Sequence, residues 1–99
     1  MKVFVQSVNF NADKELVTFI EKKINRLEKY FDRIVDTRVY LKVEQTSEKE
    51  NKTVEIKVNV PGNEFVVTKQ AKTFEEGASL GIDVLKRQLT KSKEKQRAS

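Results

Sequence analysis

Lysines and arginines have the most distinctive placement of any reactive side chains in this sequence, and their chemistry is the binding of phosphate and other anions. Lys22, Arg26, Lys29 and Arg33 follow one another at spacings of four, three and four residues. At about 100° per residue, this spacing places the four cations in one stripe along a helix, with the neighbouring acids in a separate row. Segregated charge favours a binding face, because helices that are only solvated more often mix their signs. An ordinary solvated surface is the alternative.

A second group of cations lies at the end of the sequence. Residues 86–99 hold six basic residues and one acid, so this segment alone accounts for the net charge of +5. Residues 1–85 hold fourteen basic and fourteen acidic residues. A balanced domain with a cationic C-terminal arm favours a polyanion as partner, with nucleic acid the first candidate. A tail that only raises solubility is the alternative interpretation.

The two groups together form a candidate surface for RNA. Few aromatic residues are available for base stacking; Phe4 and Tyr40 are candidates for an open sheet face, although Tyr40 is equally suited to packing. Recognition of the backbone and shape of folded RNA is therefore favoured over the reading of single bases. The candidate RNA-binding residues are Lys22, Lys23, Arg26, Lys29, Arg33, Lys86, Arg87, Lys91, Lys93 and Lys95.

Catalytic and metal chemistry is poorly represented in the sequence. The chain has no cysteine and no histidine, so it lacks the usual ligands of zinc, iron–sulfur and copper sites and the commonest general base. Glu44, Glu48 and Glu50 could bind a hard cation weakly, but they lack the aspartate and glycine pattern of a calcium loop. We therefore expect no enzyme activity, no metal and no cofactor, and no small-molecule substrate.

The order of elements that must position the cations is β-α-β-β-β-α. Alternation predicts strands over residues 2–8, 35–44, 53–60 and 64–70; the buried set of the last strand stays open. Asn11 or Asp13 is the predicted N-cap of a first helix over residues 13–31, and Thr73 opens a capping box for the second. Both helices repeat apolar residues at spacings of 4, 4, 3 and 4, which indicates one buried face each.

These elements predict an α+β fold in which two helices pack on one face of a four-stranded sheet. The last three strands should be antiparallel neighbours, and the first can pair in parallel with one of them. We expect one domain over residues 1–90 and a basic arm over residues 91–99, in which the helix frays and the chain becomes flexible. No segment approaches the ~20 apolar residues of a membrane span, and no signal-peptide pattern is present. A soluble, cytoplasmic protein without a membrane partner is expected.

Three segments resemble the family of ribosome hibernation-promoting factors and ribosome-associated inhibitors, also labelled sigma-54 modulation proteins. The segments are residues 19–36 (FIEKKINRLEKYFDRIVD), 58–64 (VNVPGNE) and 85–95 (LKRQLTKSKEK). The resemblance implies a fold similar to a double-stranded-RNA-binding domain. It also implies docking in the decoding cleft of the small ribosomal subunit, where the protein would exclude messenger RNA and transfer RNA. The cations that match the family's anchors are Lys22, Lys23, Arg26, Lys29, Lys86, Arg87, Lys91 and Lys93.

The sequence also departs from the family pattern. Many members begin the second helix with an aspartate and a tyrosine-alanine-alanine run, where this chain has Thr73 and Phe74. A glycine often found late in the first strand is absent, and Ser7 stands nearby. The chain looks like a short form of the family. The resemblance implies rRNA as a partner, with other hibernation factors as further candidate partners. A free structured-RNA-binding regulator and a protein-interaction module are the alternative functions.

Overall fold

The computed structural model describes the backbone of residues 1–44 and 51–98, and the side chains of residues 1–44 and 51–93. The predicted hairpin loop over residues 45–50, with Glu48 and Glu50, lies outside the described residues. The element order is β-α-β-β-β-α, as predicted. The bounds are β1 Lys2–Val8, α1 Lys14–Asn25, a 3₁₀ segment Arg26–Lys29, β2 Asp36–Val43, β3 Lys52–Val60, β4 Asn63–Ala71 and α2 Phe74–Ala98.

The four strands form one mixed sheet in the order β1-β2-β3-β4. The first strand pairs in parallel with β2 because α1 carries the chain back across the sheet between them. The other two pairs are antiparallel. Gly62 has a φ of +80° in the turn between β3 and β4, a conformation that glycine adopts at little cost. The α+β fold class predicted from the sequence is confirmed.

Both helices pack on the same face of this sheet. Ile20, Ile24 and Leu27 are fully buried against it. Alternate residues of the strands face them, which follows from the two-residue period of a strand. In β4, Val67 and Ala71 are buried, and this settles the face that alternation left open. The core is therefore a single layer between helices and sheet, and the opposite sheet face is not covered by described residues.

Helix α2 comes unusually close to the sheet at two glycines. A Cβ atom built on Gly77 would lie 2.9 Å from Cγ2 of Val54, and one on Gly81 would lie 3.0 Å from Cδ1 of Ile56. Both glycines are buried. The sequence pattern alone shows a helix weakened by two glycines, and the packing explains why they are present.

The first helix is shorter than predicted. The α-helix ends at Asn25 and continues as the 3₁₀ segment, whereas the sequence pattern predicts one α-helix over residues 13–31. Leu27 is fully buried and its carbonyl accepts from the backbone N–H groups of Tyr30 and Phe31, at 2.9 and 3.1 Å. The tighter winding keeps Leu27 and Phe31 in the core while the chain turns toward β2.

The second helix is longer than predicted. Its backbone is helical to Ala98, whereas we expected the helix to fray after Leu89. The apolar period ends at Leu89 because burial ends there, but Lys, Glu, Gln, Arg and Ala all have high helix propensity. The predicted flexibility of residues 91–99 stays a prediction.

We expect the two glycines of α2 to respond differently to alanine. Alanine gains about 1 kcal/mol over glycine in a helix, but overpacking a core costs about 1–3 kcal/mol. Gly77→Ala should be destabilising by up to about 2 kcal/mol because Val54 is β-branched and stiff. Gly81→Ala should be near neutral because its nearest neighbour is the flexible end of Ile56. Urea unfolding of both variants measures the difference, and equal midpoints would contradict it.

Candidate nucleic-acid interface

Helices α1 and α2 begin at the same end of the molecule. The rings of Phe10, which precedes α1, and Phe74, the first residue of α2, stack with centroids 5.2 Å apart. Asp13 caps α1 by accepting from the backbone N–H of Leu16 at 2.7 Å. Thr73 does the same for α2 with Glu76 at 3.1 Å. The two helices therefore run side by side in the same direction.

Charge is segregated along this helix pair. Acidic residues occupy the first turns, with Glu15 in α1 and Glu75 and Glu76 in α2. Basic residues occupy the last turn of α1 and the second half of α2. These acidic and basic residues sit at the helix ends that the macrodipole favours, whereas Lys14 places one cation at the start of α1. One end of the helix layer is consequently cationic.

Tyr30 joins the two cationic groups. It follows the 3₁₀ segment, and the Lys86 Nζ of α2 lies 5.2 Å from the centroid of its ring. Tyr30, Lys86, Arg87, Thr90 and Lys91 line one shallow cleft. A cation over an aromatic face is attracted by the ring quadrupole. The contact brings the end of the first helical segment, with Lys29 next to Tyr30 in sequence, against the basic part of α2.

Most of the candidate RNA-binding side chains are solvent-exposed. Lys23 is half-buried, with its Nζ 5.5 Å from the centroid of Phe19. The side chain of Lys95 lies outside the described side chains. The exposed candidates are Lys22, Arg26, Lys29, Arg33, Arg87 and Lys91, and the half-buried ones are Lys23, Lys86 and Lys93.

The predicted single α-helical stripe of four cations was wrong. Lys22 belongs to α1, Arg26 and Lys29 belong to the 3₁₀ segment, and Arg33 lies in the turn after it. A 3₁₀ helix has three residues per turn, so cations beyond Asn25 point in other directions than a regular α-helix would give them.

Few acids neutralise these cations. Within the described side chains, Lys86 is the candidate residue with a carboxylate nearby, at 4.0 Å from Asp83. That pair is exposed, and such pairs contribute little to stability. The remaining described cations are thus available to bind phosphate groups.

The sequence alone did not predict the role of Tyr30. The ring is 42% exposed. Its position between the cations Lys29 and Arg33 was the available signal.

Among the described residues, no group of three or more acidic, histidine or cysteine side chains could hold a metal ion. None of the described helices is long and apolar enough to cross a membrane.

Comparison with known proteins identifies the family. Residues 3–97 match the family described as sigma 54 modulation protein / S30EA ribosomal protein. The chain belongs to this family. It is 34% identical to the ribosome hibernation promoting factor of Azotobacter vinelandii, over 97% of this chain and 86% of that protein. It is 33% identical to the Escherichia coli factor of the same name, over 96% of both chains. The predicted family is confirmed.

Longer relatives and solved structures also match. A ribosome hibernation promotion factor of Deinococcus radiodurans is 33% identical over 86% of this chain, which spans 45% of that protein. A ribosomal subunit interface protein from Coxiella burnetii superposes with a TM-score of 0.82 at 22% identity, covering 94% of this chain and 98% of the other. The N-terminal domain of Thermus thermophilus Protein Y gives 0.77 at 23%, covering 92% and 98%. These two structures show that the fold is shared.

The placement of the cations, rather than their number, should control polyanion binding. We expect Lys86→Gln/Lys91→Gln to elute from a heparin column at lower salt than wild type, because two phosphate-binding groups of the Tyr30 cleft are lost. Lys14→Gln/Lys72→Gln removes the same charge at the other end of the helices and should elute close to wild type. Equal elution of the two variants would show that net charge alone governs binding.

Proposed function

We propose that this chain binds the small ribosomal subunit through its rRNA, occupies the decoding cleft and holds the ribosome idle by excluding messenger RNA and transfer RNA. The observation that carries the proposal is the Tyr30–Lys86 contact, which unites the two cationic groups in one surface. The relatives named as hibernation factors, over almost the whole chain, supply the biological context.

Electrostatic anchoring is the physical basis of binding. The proposed patch consists of the candidate cations predicted from the sequence, nine of which have described side chains. Each lysine or arginine that neutralises an RNA phosphate releases condensed counterions, so affinity falls steeply as salt rises. Residues around Tyr30 would hold the closest phosphates, while Lys22 and Lys23 extend the contact along α1.

Shape recognition fits the helix layer. Two parallel helices present their outer surface to solvent, and most of the candidate cations on it are exposed. Contacts to phosphates fix the position of a protein on RNA without reading its sequence, and folded RNA is recognised largely through its shape and backbone. Steric exclusion then needs only that the domain fill the space, and no catalytic step, metal or cofactor enters the mechanism.

The proposed site of action is the cytoplasm, where ribosomes are found, with rRNA as the main partner and no small-molecule substrate. Other hibernation factors are further proposed partners on the same ribosome. Free structured RNA is the competing partner.

Ribosome pelleting across a salt series tests the proposal. We expect wild type to pellet with small subunits, with each phosphate contact adding about 0.7–0.9 to the slope of log affinity against log salt. Lys22→Glu/Arg26→Glu should abolish pelleting at moderate salt, because the variant replaces two contacts by repulsion.

Lys14→Glu/Lys72→Glu is the matched control, since it makes the same charge change at the acidic end of the helices. It should pellet nearly as wild type does. Failure of wild type to pellet at low salt would overturn ribosome binding. Comparable affinity for isolated duplex RNA would instead favour a free RNA-binding regulator.

A further inference from the structure

The open face of the sheet carries an exposed aromatic and cationic patch. Strand alternation directs Val3, Val5 and Val39 toward the helices, and Phe4, Arg38 and Tyr40 toward the other side. Phe4 is 49% exposed, so part of its ring is open to solvent on this face.

The sheet register places these side chains beside one another. Phe4 pairs with Arg38, and Arg38 pairs with Lys57 across β1, β2 and β3. The Arg38 guanidinium carbon lies 5.5 Å from the centroid of Phe4, and the Lys57 Nζ lies 5.6 Å from that of Tyr40. Each aromatic ring of the patch is thus accompanied by its own cation.

The arrangement of Arg38 and Lys57 is unfavourable in the free protein. They stand directly opposite on antiparallel strands, where like charges destabilise the pair. Among the described side chains Arg38 has no carboxylate within ion-pair distance, while Lys57 has Glu55 at 3.7 Å. Asp36, the nearest acid along β2, accepts a hydrogen bond from Asn59 at 2.7 Å instead. An anion placed between the two cations would relieve the repulsion.

We propose that Phe4, Arg38, Tyr40 and Lys57 form a second RNA surface, which binds an unpaired strand. Bases stack on Phe4 and Tyr40 while the cations take the backbone phosphates, which is the combination that single-stranded RNA requires. This inference extends the proposed function and rests on it for the presence of RNA.

Two features favour a single strand over an acidic peptide or a duplex. The first is a shallow cleft of about 200 Å³, open enough for a flat base and lined by Phe4, Gln6, Arg38, Val39 and Tyr40. The second is the amide of Gln6, which can donate to or accept from a base edge. An acidic peptide would use the cations and leave both rings without a partner. A duplex keeps its bases stacked inside and offers no ring faces to Phe4.

The chain contains two tyrosines and no tryptophan, and one tyrosine lies on each proposed surface. Tyr30→Phe therefore leaves Tyr40 as the reporter for the sheet, and Tyr40→Phe leaves Tyr30 as the reporter for the helices. The probes are an oligouridylate of about eight nucleotides and an RNA duplex of about 16 base pairs. We expect the oligouridylate to quench Tyr40 fluorescence and the duplex to quench Tyr30 fluorescence.

Phe4→Ala should weaken oligouridylate binding about tenfold or more, because one stacking platform is lost. Leu80→Ala is the matched control, since Leu80 is 44% exposed on α2, and it should bind as wild type. Arg38→Gln should lower the slope of log affinity against log salt by about 0.7. Circular dichroism of each variant confirms that it is folded.

The outcomes separate this inference from the proposed function. If oligouridylate leaves Tyr40 fluorescence unchanged while the duplex quenches Tyr30 fluorescence, the sheet surface is overturned and the helix surface is supported. A quenched Tyr40 with a silent Tyr30 supports the sheet surface and counts against the helix surface. Silence of both reporters overturns both. Equal affinity for oligoglutamate of the same charge would show a simple anion site and overturn base stacking.

Discussion

The described surfaces follow from one constraint: both helices pack their apolar faces on the same face of the sheet. The helices must approach that face closely, and Gly77 and Gly81 permit the approach by leaving room for Val54 and Ile56. Because the described core lies on one side of the sheet, the outer helix surfaces and the open sheet face of the described residues are accessible to solvent and to partners. Placement of charge on these surfaces then costs the core nothing.

The shared direction of the helices gives the two ends of the helix layer different charges. The parallel pairing of β1 with β2 requires a crossover through α1, and both helices then begin together at the Phe10–Phe74 stack. Glu15, Glu75 and Glu76 lie at that end, and most of the candidate cations lie toward the other. Attraction of Lys86 to the Tyr30 ring completes the cationic patch without burying a charge, so the cations stay hydrated until an anion replaces the water. Such a surface is suited to fast, salt-dependent binding of folded RNA.

Much of this could be predicted from the sequence because the signals were local. Strands were predicted from the period of two in β2 and β3, and the second helix from the apolar repeat of α2 and the Thr73 capping box. The packing of the helices on one sheet face was predicted from the single apolar face of each element. The end of α1 could not be predicted in this way. The change to 3₁₀ winding at Arg26 depends on the burial of Leu27, which is a property of the tertiary fold. The extent of α2 was underestimated because a solvated helix leaves no apolar period.

The candidate site shows the same division. Residue types and spacing identified the cations of both helices, and they belong to exposed or half-exposed positions wherever their side chains are described. Their arrangement depends on contacts between distant residues, such as Tyr30 with Lys86, which no local pattern contains. The pairing of Phe4 with Arg38 is of the same kind, since it depends on the register between β1 and β2.

Mutual exclusion on the small subunit tests the central claim most directly. Small subunits would be saturated with a messenger RNA and its cognate transfer RNA, and the binding of the labelled chain measured against empty subunits. Occupation of the decoding cleft predicts that the apparent Kd rises in proportion to the messenger concentration, and that excess chain releases labelled messenger in turn. Unchanged affinity, with chain, messenger and transfer RNA bound together on one subunit, would contradict the account.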